Sequence, residues 1–126
     1  MDKALFDLGE KTRRAVLGDR HVDASLAKAT EFTRPLQELA TEYGWGAIWS
    51  RPGLPRKIRS MLNLAMLTAL NRPHELKAHL RGALTNGVTE DEIREVLLQT
   101  AVYCGMPAAI DSFRVAREVL DEAKVK

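Results

Sequence analysis

The segment from residue 75 to residue 92, ELKAHLRGALTNGVTEDE, constrains the fold of this chain more than any other. It predicts a helix that ends at Asn86-Gly87, because glycine readily takes the left-handed conformation found just after many helices. Thr89 and Glu92 have the spacing of a capping box, which predicts that another helix begins at residue 90. The segment therefore predicts a helix, a turn and the start of a second helix.

The first of these helices carries Glu75 and His79 one turn apart. At about 100° per residue, the two side chains lie about 40° apart on one face of the helix. An apolar stripe runs directly beside them and consists of Leu76, Leu80, Ala83 and Leu84. A carboxylate and an imidazole on a rigid helix at the edge of a core form a candidate acid/base site.

Helical patterns also account for most of the remaining chain, and the sequence has no sustained alternation of the kind that predicts strands. Apolar spacing and helix breakers predict helices over residues 2–17, 24–43, 56–71, 73–86, 90–104 and 107–123. Pro35 should kink or divide the second helix, because proline lacks the N–H that a helix interior needs. We predict a single all-α domain, residues 1–126, folded as a bundle of about six or seven helices.

The middle of the chain combines an irregular segment with an unusually apolar helix. Residues 44–55, GWGAIWSRPGLP, contain three glycines and two prolines and predict a loop. The helix that follows is apolar on nearly every side over residues 58–70, which predicts burial, in part against another subunit. Met61 and Met66 are assigned to this predicted core.

Composition and charge exclude several functional classes. Net charge is +2 in 126 residues, and basic residues alternate with acidic ones, which argues against a nucleic-acid or membrane surface. The single cysteine, Cys104, cannot form an intrachain disulfide, so a reducing cytoplasm is expected. We find no secretion signal, and the longest apolar run is too short to cross a bilayer.

Two blocks of the sequence resemble the carboxymuconolactone decarboxylase family. They are WGAIWSRPGLPRKIRS and ELKAHLRGALTNGVTEDEIREVLLQTAVYCGMPAA, and the resemblance covers residues 30–120. It implies a small helical subunit with an alkylhydroperoxidase-D-like fold, assembled into homotrimers or homohexamers. It also implies decarboxylation of 4-carboxymuconolactone, a dicarboxylate lactone, to 3-oxoadipate enol-lactone and carbon dioxide in protocatechuate (β-ketoadipate) catabolism. The family uses no metal or organic cofactor.

Peroxidases of the wider superfamily carry Cys-x-x-Cys-x-x-x-His on the corresponding helix. Aligned on His79, the two cysteine positions are occupied here by Arg72 and Glu75. Cys104 lies on a different predicted helix. Thiol peroxidase activity is therefore not expected.

The implied substrate contains its own electron acceptor. The electron pair that remains when carbon dioxide leaves is delocalised through the ring alkene into the lactone carbonyl. The protein must bind two carboxylates, stabilise charge at the lactone oxygen and deliver a proton. His79 is our candidate general acid or hydrogen-bond donor, and Glu75 could orient it. The alternative is that the two residues form a purely structural helical pair.

Arginines near the Pro-Gly-Leu-Pro turn are candidates to bind the two carboxylates. Arg51 and Arg59 are preferred, because a guanidinium can donate two parallel hydrogen bonds to one carboxylate. Arg56, at the start of the helix, is more exposed in our interpretation, and Arg81 points away from His79. The alternative for each arginine is a solvated or intersubunit charge.

Two aromatic residues complete the predicted site. Trp49 could wall it and exclude water, whereas Trp45 is assigned to packing. Tyr103 either offers its hydroxyl to the lactone oxygen or is a core tyrosine. Cys104 is assigned as a small buried residue rather than a nucleophile.

The other histidines give no metal-ligand pattern. His74 is predicted to be exposed, and His21 has no evident partner. Two alternatives to the leading activity stay open: a decarboxylase or isomerase acting on another carboxylated lactone or β-keto acid, and a non-catalytic oligomeric module of the same fold. The joint presence of Glu75, His79, Arg51 and Arg59 favours an enzyme.

Overall fold

The computed structural model describes residues 1–125, and within that range every regular element is helical. The elements are α1 Lys3–Leu17, α2 Asp19–Ala27, α3 Arg34–Leu39, a π-helix Ala40–Trp49 that continues α3, α4 Arg56–Ala69, α5 Pro73–Thr85, α6 Glu90–Cys104 and α7 Met106–Val125. The predicted all-α class and number of helices are confirmed. The chain divides into two compact units, Met1–Pro55 and the part that begins at Arg56.

The first unit is built on a close crossing of α1 and the π-helix at two glycines. A Cβ atom at Gly9 would lie 2.8 Å from the backbone nitrogen of Gly46 and would overlap the carbonyl oxygen of Thr41. A Cβ atom at Gly46 would in turn overlap the carbonyl oxygen of Leu5. Only glycine therefore allows the two backbones to approach this closely.

Two stacked tryptophans extend the core of this unit. The rings of Trp45 and Trp49 have centroids 4.9 Å apart with an interplanar angle of 26°. Both are buried and form a cluster with Val16 of α1.

A buried arginine links α1 to α3. The guanidinium of Arg13 donates from Nη1 to Oε1 of Gln37 at 2.9 Å, and burial lowers the pKa of this arginine.

Two boundaries in the first unit differ from those predicted. The predicted loop over residues 44–55 is wrong for residues 44–49, where Gly46 serves a close helix crossing inside the π-helix rather than a turn. The predicted helix over residues 24–43 is interrupted before α3, where Thr30 and Thr33 exchange hydrogen bonds between side chains and backbone. Pro35 lies in the first turn of α3, where its missing N–H costs nothing, and the predicted segment is divided just before it, which confirms the predicted division at this proline.

The second unit contains α4 to α7 around one apolar core. The fully buried side chains at its centre are Leu64, Leu76, Leu80, Ile93 and Leu97. The predicted turn between α5 and α6 is confirmed, since Gly87 has a φ angle of +90°. The predicted capping box is also confirmed, because Thr89 and Glu92 exchange hydrogen bonds of 2.9 and 3.1 Å.

Within the single chain, helix α4 is buried on one face, so the predicted burial of its other sides against another subunit stays a prediction. Ser60, Leu64 and Thr68 are buried. An apolar stripe at four-residue spacing is exposed in the single chain and consists of Ile58, Leu62, Met66 and Leu70. Met61 packs against the core as predicted, whereas Met66 does not.

Over residues 1–125, none of the helices combines the length and apolar character needed to cross a bilayer.

Candidate active site

The predicted acid/base residue His79 lies where α5 packs against α4. Only a short connection separates these two helices, so they run antiparallel as neighbours. Leu64 of α4 and Leu80 of α5 are fully buried in the core of the second unit. Asn63 and His79 each precede one of these leucines, and Nδ2 of Asn63 lies 3.4 Å from Nδ1 of His79. Core packing therefore holds both partners of this contact in register.

Glu75 lies one turn before His79 in α5, as the sequence predicts. It is in the first turn of the helix, where the helix dipole favours a negative charge. Glu75 is exposed, whereas His79 is half-buried. An accessible carboxylate therefore lies one helical turn from an imidazole that borders the core.

Arg59 extends the same face of the hairpin in the other direction. It precedes Asn63 by four residues in α4, so both lie on one side of that helix. Because α4 and α5 are antiparallel, Arg59 and Glu75 lie on opposite sides of the His79 contact. Arg59 and Glu75 each lie one helical turn, about 6 Å of rise, from the His79 contact along the hairpin. A cation, an imidazole and a carboxylate therefore follow one another along the hairpin.

The remaining predicted site residues lie elsewhere in the chain. Arg51 and Trp49 belong to the first unit, where Arg51 is exposed and Trp49 is buried against Trp45. Tyr103, near the end of α6, is 80% exposed, so it is not a core tyrosine within the single chain. The predicted burial of Cys104 is wrong, because this residue is exposed at the end of α6.

Several secondary assignments are confirmed. His74 and Arg56 are exposed as predicted. Arg81 forms an ion pair with Glu122 of α7 at 2.8 Å, and the hydrogen bonds that its guanidinium donates to that carboxylate raise the pKa of the arginine. Arg81 therefore serves the contact between α5 and α7.

The described residues contain no group of three His, Cys, Asp or Glu side chains with the geometry of a metal site. A cavity of about 300 Å³ lies between α6 and α7, and its apolar lining includes Ile93, Leu97, Phe113, Ala116 and Leu120. None of the predicted site residues lines this cavity, so the cavity is distinct from the candidate acid/base site of Glu75 and His79.

Asn63 is the site residue that the sequence analysis missed. A signal was available, because an amide in an otherwise apolar helix must find a hydrogen-bond partner once it is partly buried. The sequence offered no way to choose His79 as that partner before the packing of α4 on α5 was known.

Comparison with known proteins shows the family to which this chain belongs. The profile of the carboxymuconolactone decarboxylase family matches residues 34–118. The chain belongs to this family.

Two relatives cover nearly the whole chain. It is 48% identical over 122 residues to nitrosuccinic acid decarboxylase npaB of Metarhizium robertsii, covering 97% of this chain and 85% of the relative. It is 40% identical over 121 residues to the 4-carboxymuconolactone decarboxylase of Acinetobacter baylyi, covering 96% and 90% respectively. The chain is accordingly a carboxy-lyase of this family.

Proposed function

We propose that the chain decarboxylates 4-carboxymuconolactone to 3-oxoadipate enol-lactone and carbon dioxide without a cofactor, in the cytoplasm, as a step of protocatechuate (β-ketoadipate) catabolism. The observation that carries this proposal is the succession of Arg59, His79 and Glu75 along the α4–α5 hairpin. These are the groups needed to bind a carboxylate and to act on a developing oxyanion. The 40% identity to a decarboxylase named for this substrate supports it.

Nitrosuccinate is a second candidate substrate, favoured by the 48% identity to a nitrosuccinic acid decarboxylase. The two substrates share a chemical core. In each, one carbon carries the carboxylate that leaves, a CH₂COO⁻ arm and an electron-accepting group. Loss of carbon dioxide moves the electron pair into the lactone through the ring alkene, or into the nitro group. The proposed substrate class is therefore a succinate with an electron acceptor on one of its two central carbons.

The proposed roles of the residues follow from this chemistry. Arg59 binds a carboxylate of the substrate, because a guanidinium group matches a carboxylate in both charge and geometry. His79 acts on the oxygen that gains negative charge as carbon dioxide leaves. Glu75 orients His79 or takes part in proton transfer to carbon. Tyr103 contributes its hydroxyl to binding of the lactone oxygen.

We further propose that the active protein is a homo-oligomer, a trimer or a hexamer. The exposed stripe of Ile58, Leu62, Met66 and Leu70 supports this, because a continuous apolar helix face is costly to leave in water. A second copy of the chain covers this stripe. The row of polar groups in α4 and α5 is then adjacent to a subunit interface, where water is more easily excluded.

The activity is tested by offering the purified protein both substrates. Fresh 4-carboxymuconolactone and nitrosuccinate are incubated separately, and carbon dioxide and the organic products are followed by NMR. Each rate is compared with the rate without protein and with that of the His79→Gln variant. Turnover of the lactone above background supports the proposed function, and preferential turnover of nitrosuccinate selects the second candidate. Folded protein that accelerates neither reaction contradicts both.

A further inference from the structure

Polar contacts show the order of the four helices around the bundle of the second unit. Asn63 of α4 contacts His79 of α5, and Lys57 of α4 pairs with Glu92 of α6 at 3.0 Å. Ion pairs also join α7 to α5 and α6, and they are Arg81–Glu122, Lys77–Glu118 and Lys124–Glu90. The order is therefore α5, α4, α6, α7, with α5 and α6 at opposite corners.

Tyr103 lies on the side of the bundle that α4 and α6 form, here called the α4–α6 side. It follows Glu92 by eleven residues, or three turns, so the two side chains are about 20° apart around α6. Because Glu92 reaches Lys57 of α4, Tyr103 projects on the same side. Glu75 and His79 lie on the adjacent α4–α5 side. Helix α4 therefore stands between Tyr103 and the acid/base pair of its own chain.

Tyr103 and Glu75 are nevertheless at nearly the same level along the axis of α4. Tyr103 lies roughly 16 Å beyond the ion pair between α4 and α6, which makes it level with Thr68. Glu75 lies one turn beyond the contact between α4 and antiparallel α5, which makes it level with Leu67. The two residues thus differ in the side of the bundle on which they lie and hardly at all in level.

The corner between the two sides is the exposed apolar stripe of α4, which consists of Ile58, Leu62, Met66 and Leu70. Even fully exposed, four such side chains offer less than the roughly 800 Å² per partner that a stable interface buries. An interface built on the stripe therefore extends onto the sides of the bundle. The last turn of α6 offers further surface there, since Val102 and Tyr103 are 78% and 80% exposed.

We propose that a second copy of the chain docks on this stripe with the two α4 helices parallel, so that Tyr103 of each copy completes the active site of the other. A two-fold axis along α4 brings the α4–α6 side of each copy opposite the α4–α5 side of its partner, and it leaves levels along the axis unchanged. Tyr103 of the second copy then meets Glu75 and His79 of the first. Such a two-fold contact belongs to a hexamer and not to a simple ring of three.

This inference rests on the proposed function, in which Tyr103 binds the oxygen that gains negative charge. Its hydroxyl donates to that oxygen, while Arg59, His79 and Glu75 of the facing copy act as proposed. The opposite arrangement, with antiparallel α4 helices, sets the two α4–α5 sides face to face. Arg59 then pairs with Glu75 across the interface, and neither is available to a substrate.

Cross-linking tests the placement without any substrate. In a Cys104→Ser background, chains with Glu75→Cys and chains with Tyr103→Cys receive different tags, are co-expressed and are treated with a short bis-maleimide. We expect covalent dimers that carry both tags. Thr85→Cys in place of Glu75→Cys is the matched control, because it is exposed near the other end of α5 and should not cross-link. Failure of the Glu75–Tyr103 pair to cross-link, or dimers of Glu75→Cys with itself, overturns the proposal.

Mixed oligomers test the shared site by activity. Tyr103→Phe removes only the hydroxyl and should lower kcat by about tenfold or more, whereas His79→Gln disables the facing group. Co-expressed and purified through two tags, the two variants form sites that combine His79 of one chain with Tyr103 of the other. We expect kcat well above the mean of the two variants, approaching half of the wild-type value. A kcat equal to that mean shows sites formed within single chains and overturns the proposal.

The two measurements separate this inference from the proposed function. Cross-linking of positions 75 and 103 in a protein that turns over neither substrate supports the docking and contradicts the proposed function. Turnover by a protein that shows neither the cross-link nor complementation supports the proposed function and overturns the docking. Circular dichroism at the assay temperature verifies that each variant is folded.

Discussion

Lys57 in the first turn of α4 lies 3.0 Å, Nζ to Oε2, from Glu92 in the first turn of α6. The other carboxylate oxygen of Glu92 accepts the backbone N–H of Thr89 at 2.9 Å. The backbone hydrogen bond from Thr89, followed by the contact with Lys57, lowers the pKa of Glu92 below its ordinary value of 4.5. One side chain thus caps α6 and ties it to the start of α4.

This arrangement predicts an acid-dependent loss of stability. A carboxylate whose pKa is lower in the folded state stabilises the protein above its unfolded-state pKa, and this contribution is lost as pH falls through the folded-state value. Glu92→Gln should therefore lower the free energy of unfolding at about pH 7, with an effect that shrinks below the ordinary value of 4.5. Urea unfolding followed by circular dichroism measures this. Glu95→Gln, exposed on the same helix, is the control. Equal effects of Glu92→Gln at both acid and neutral pH would contradict the prediction.

The glycine crossing in the first unit predicts unequal effects of two Gly→Ala substitutions. A Cβ atom at Gly9 meets the backbone of the π-helix, so the helices must separate, at a cost of about 1–3 kcal/mol. At Gly44 the Cβ atom meets nothing within 4 Å, and alanine is the better helix former. We therefore expect Gly44→Ala to be neutral or stabilising. Thermal and urea unfolding of the two variants provide the comparison, and similar losses in both would argue against the close crossing.

The proposed acid/base helix predicts different effects for its two histidines. His79→Gln should lower kcat by about a hundredfold or more, because it removes a group that interacts with the reacting atoms. His74→Gln, exposed in the same helix, should retain wild-type activity. Glu75→Gln should reduce activity while leaving the fold intact, since Glu75 is exposed. Near-normal turnover by His79→Gln would assign that residue a structural role.

Carboxylate binding by arginine predicts a defect in KM. Arg59→Lys keeps the positive charge but loses the fork of parallel N–H donors, so KM should rise by about tenfold. Arg56→Lys is the matched control, because Arg56 is exposed at the start of the same helix as Arg59. Steady-state kinetics on the substrate that is turned over measure both values. If the two variants raise KM equally, the effect is one of general charge rather than of specific binding.

The exposed stripe on α4 predicts that assembly is sensitive to charge. Leu62→Lys combined with Met66→Lys places two charges in the proposed interface, and light scattering should show a shift toward smaller species. Thr85→Lys, at an exposed position of α5, adds a lysine outside the stripe and should leave the mass unchanged. A wild-type protein that is already monomeric would remove the proposed interface.

The elements that the sequence predicted well are those with local chemical signals. The turn between α5 and α6 depends on the left-handed Gly87 and on reciprocal hydrogen bonds of Thr89 and Glu92, all within a few residues. The π-helix was missed because Gly44 and Gly46 look like turn residues in the sequence. The reason for glycine at 46 is the carbonyl oxygen of Leu5, which is distant in the chain.

The residues of the candidate site likewise include some that local spacing predicts and some that depend on how the helices pack. Glu75 and His79 could be paired from helical spacing alone. Asn63 could not, because its contact with His79 depends on how α4 packs against α5. Burial of Cys104 and Met66 was predicted from residue type, and both are exposed in the single chain because they lie on helix surfaces that no other described element covers.

The stacked Trp45 and Trp49 have a practical consequence for studies of folding. They are the only tryptophans in the chain, and both belong to the unit Met1–Pro55. Tryptophan fluorescence therefore reports on that unit, whereas ellipticity reports on the helices of both. Coincident transitions by the two signals would show that the units unfold together, and separate transitions would show that they unfold independently. An optical probe of the hairpin that carries His79 requires a tryptophan introduced beyond residue 55.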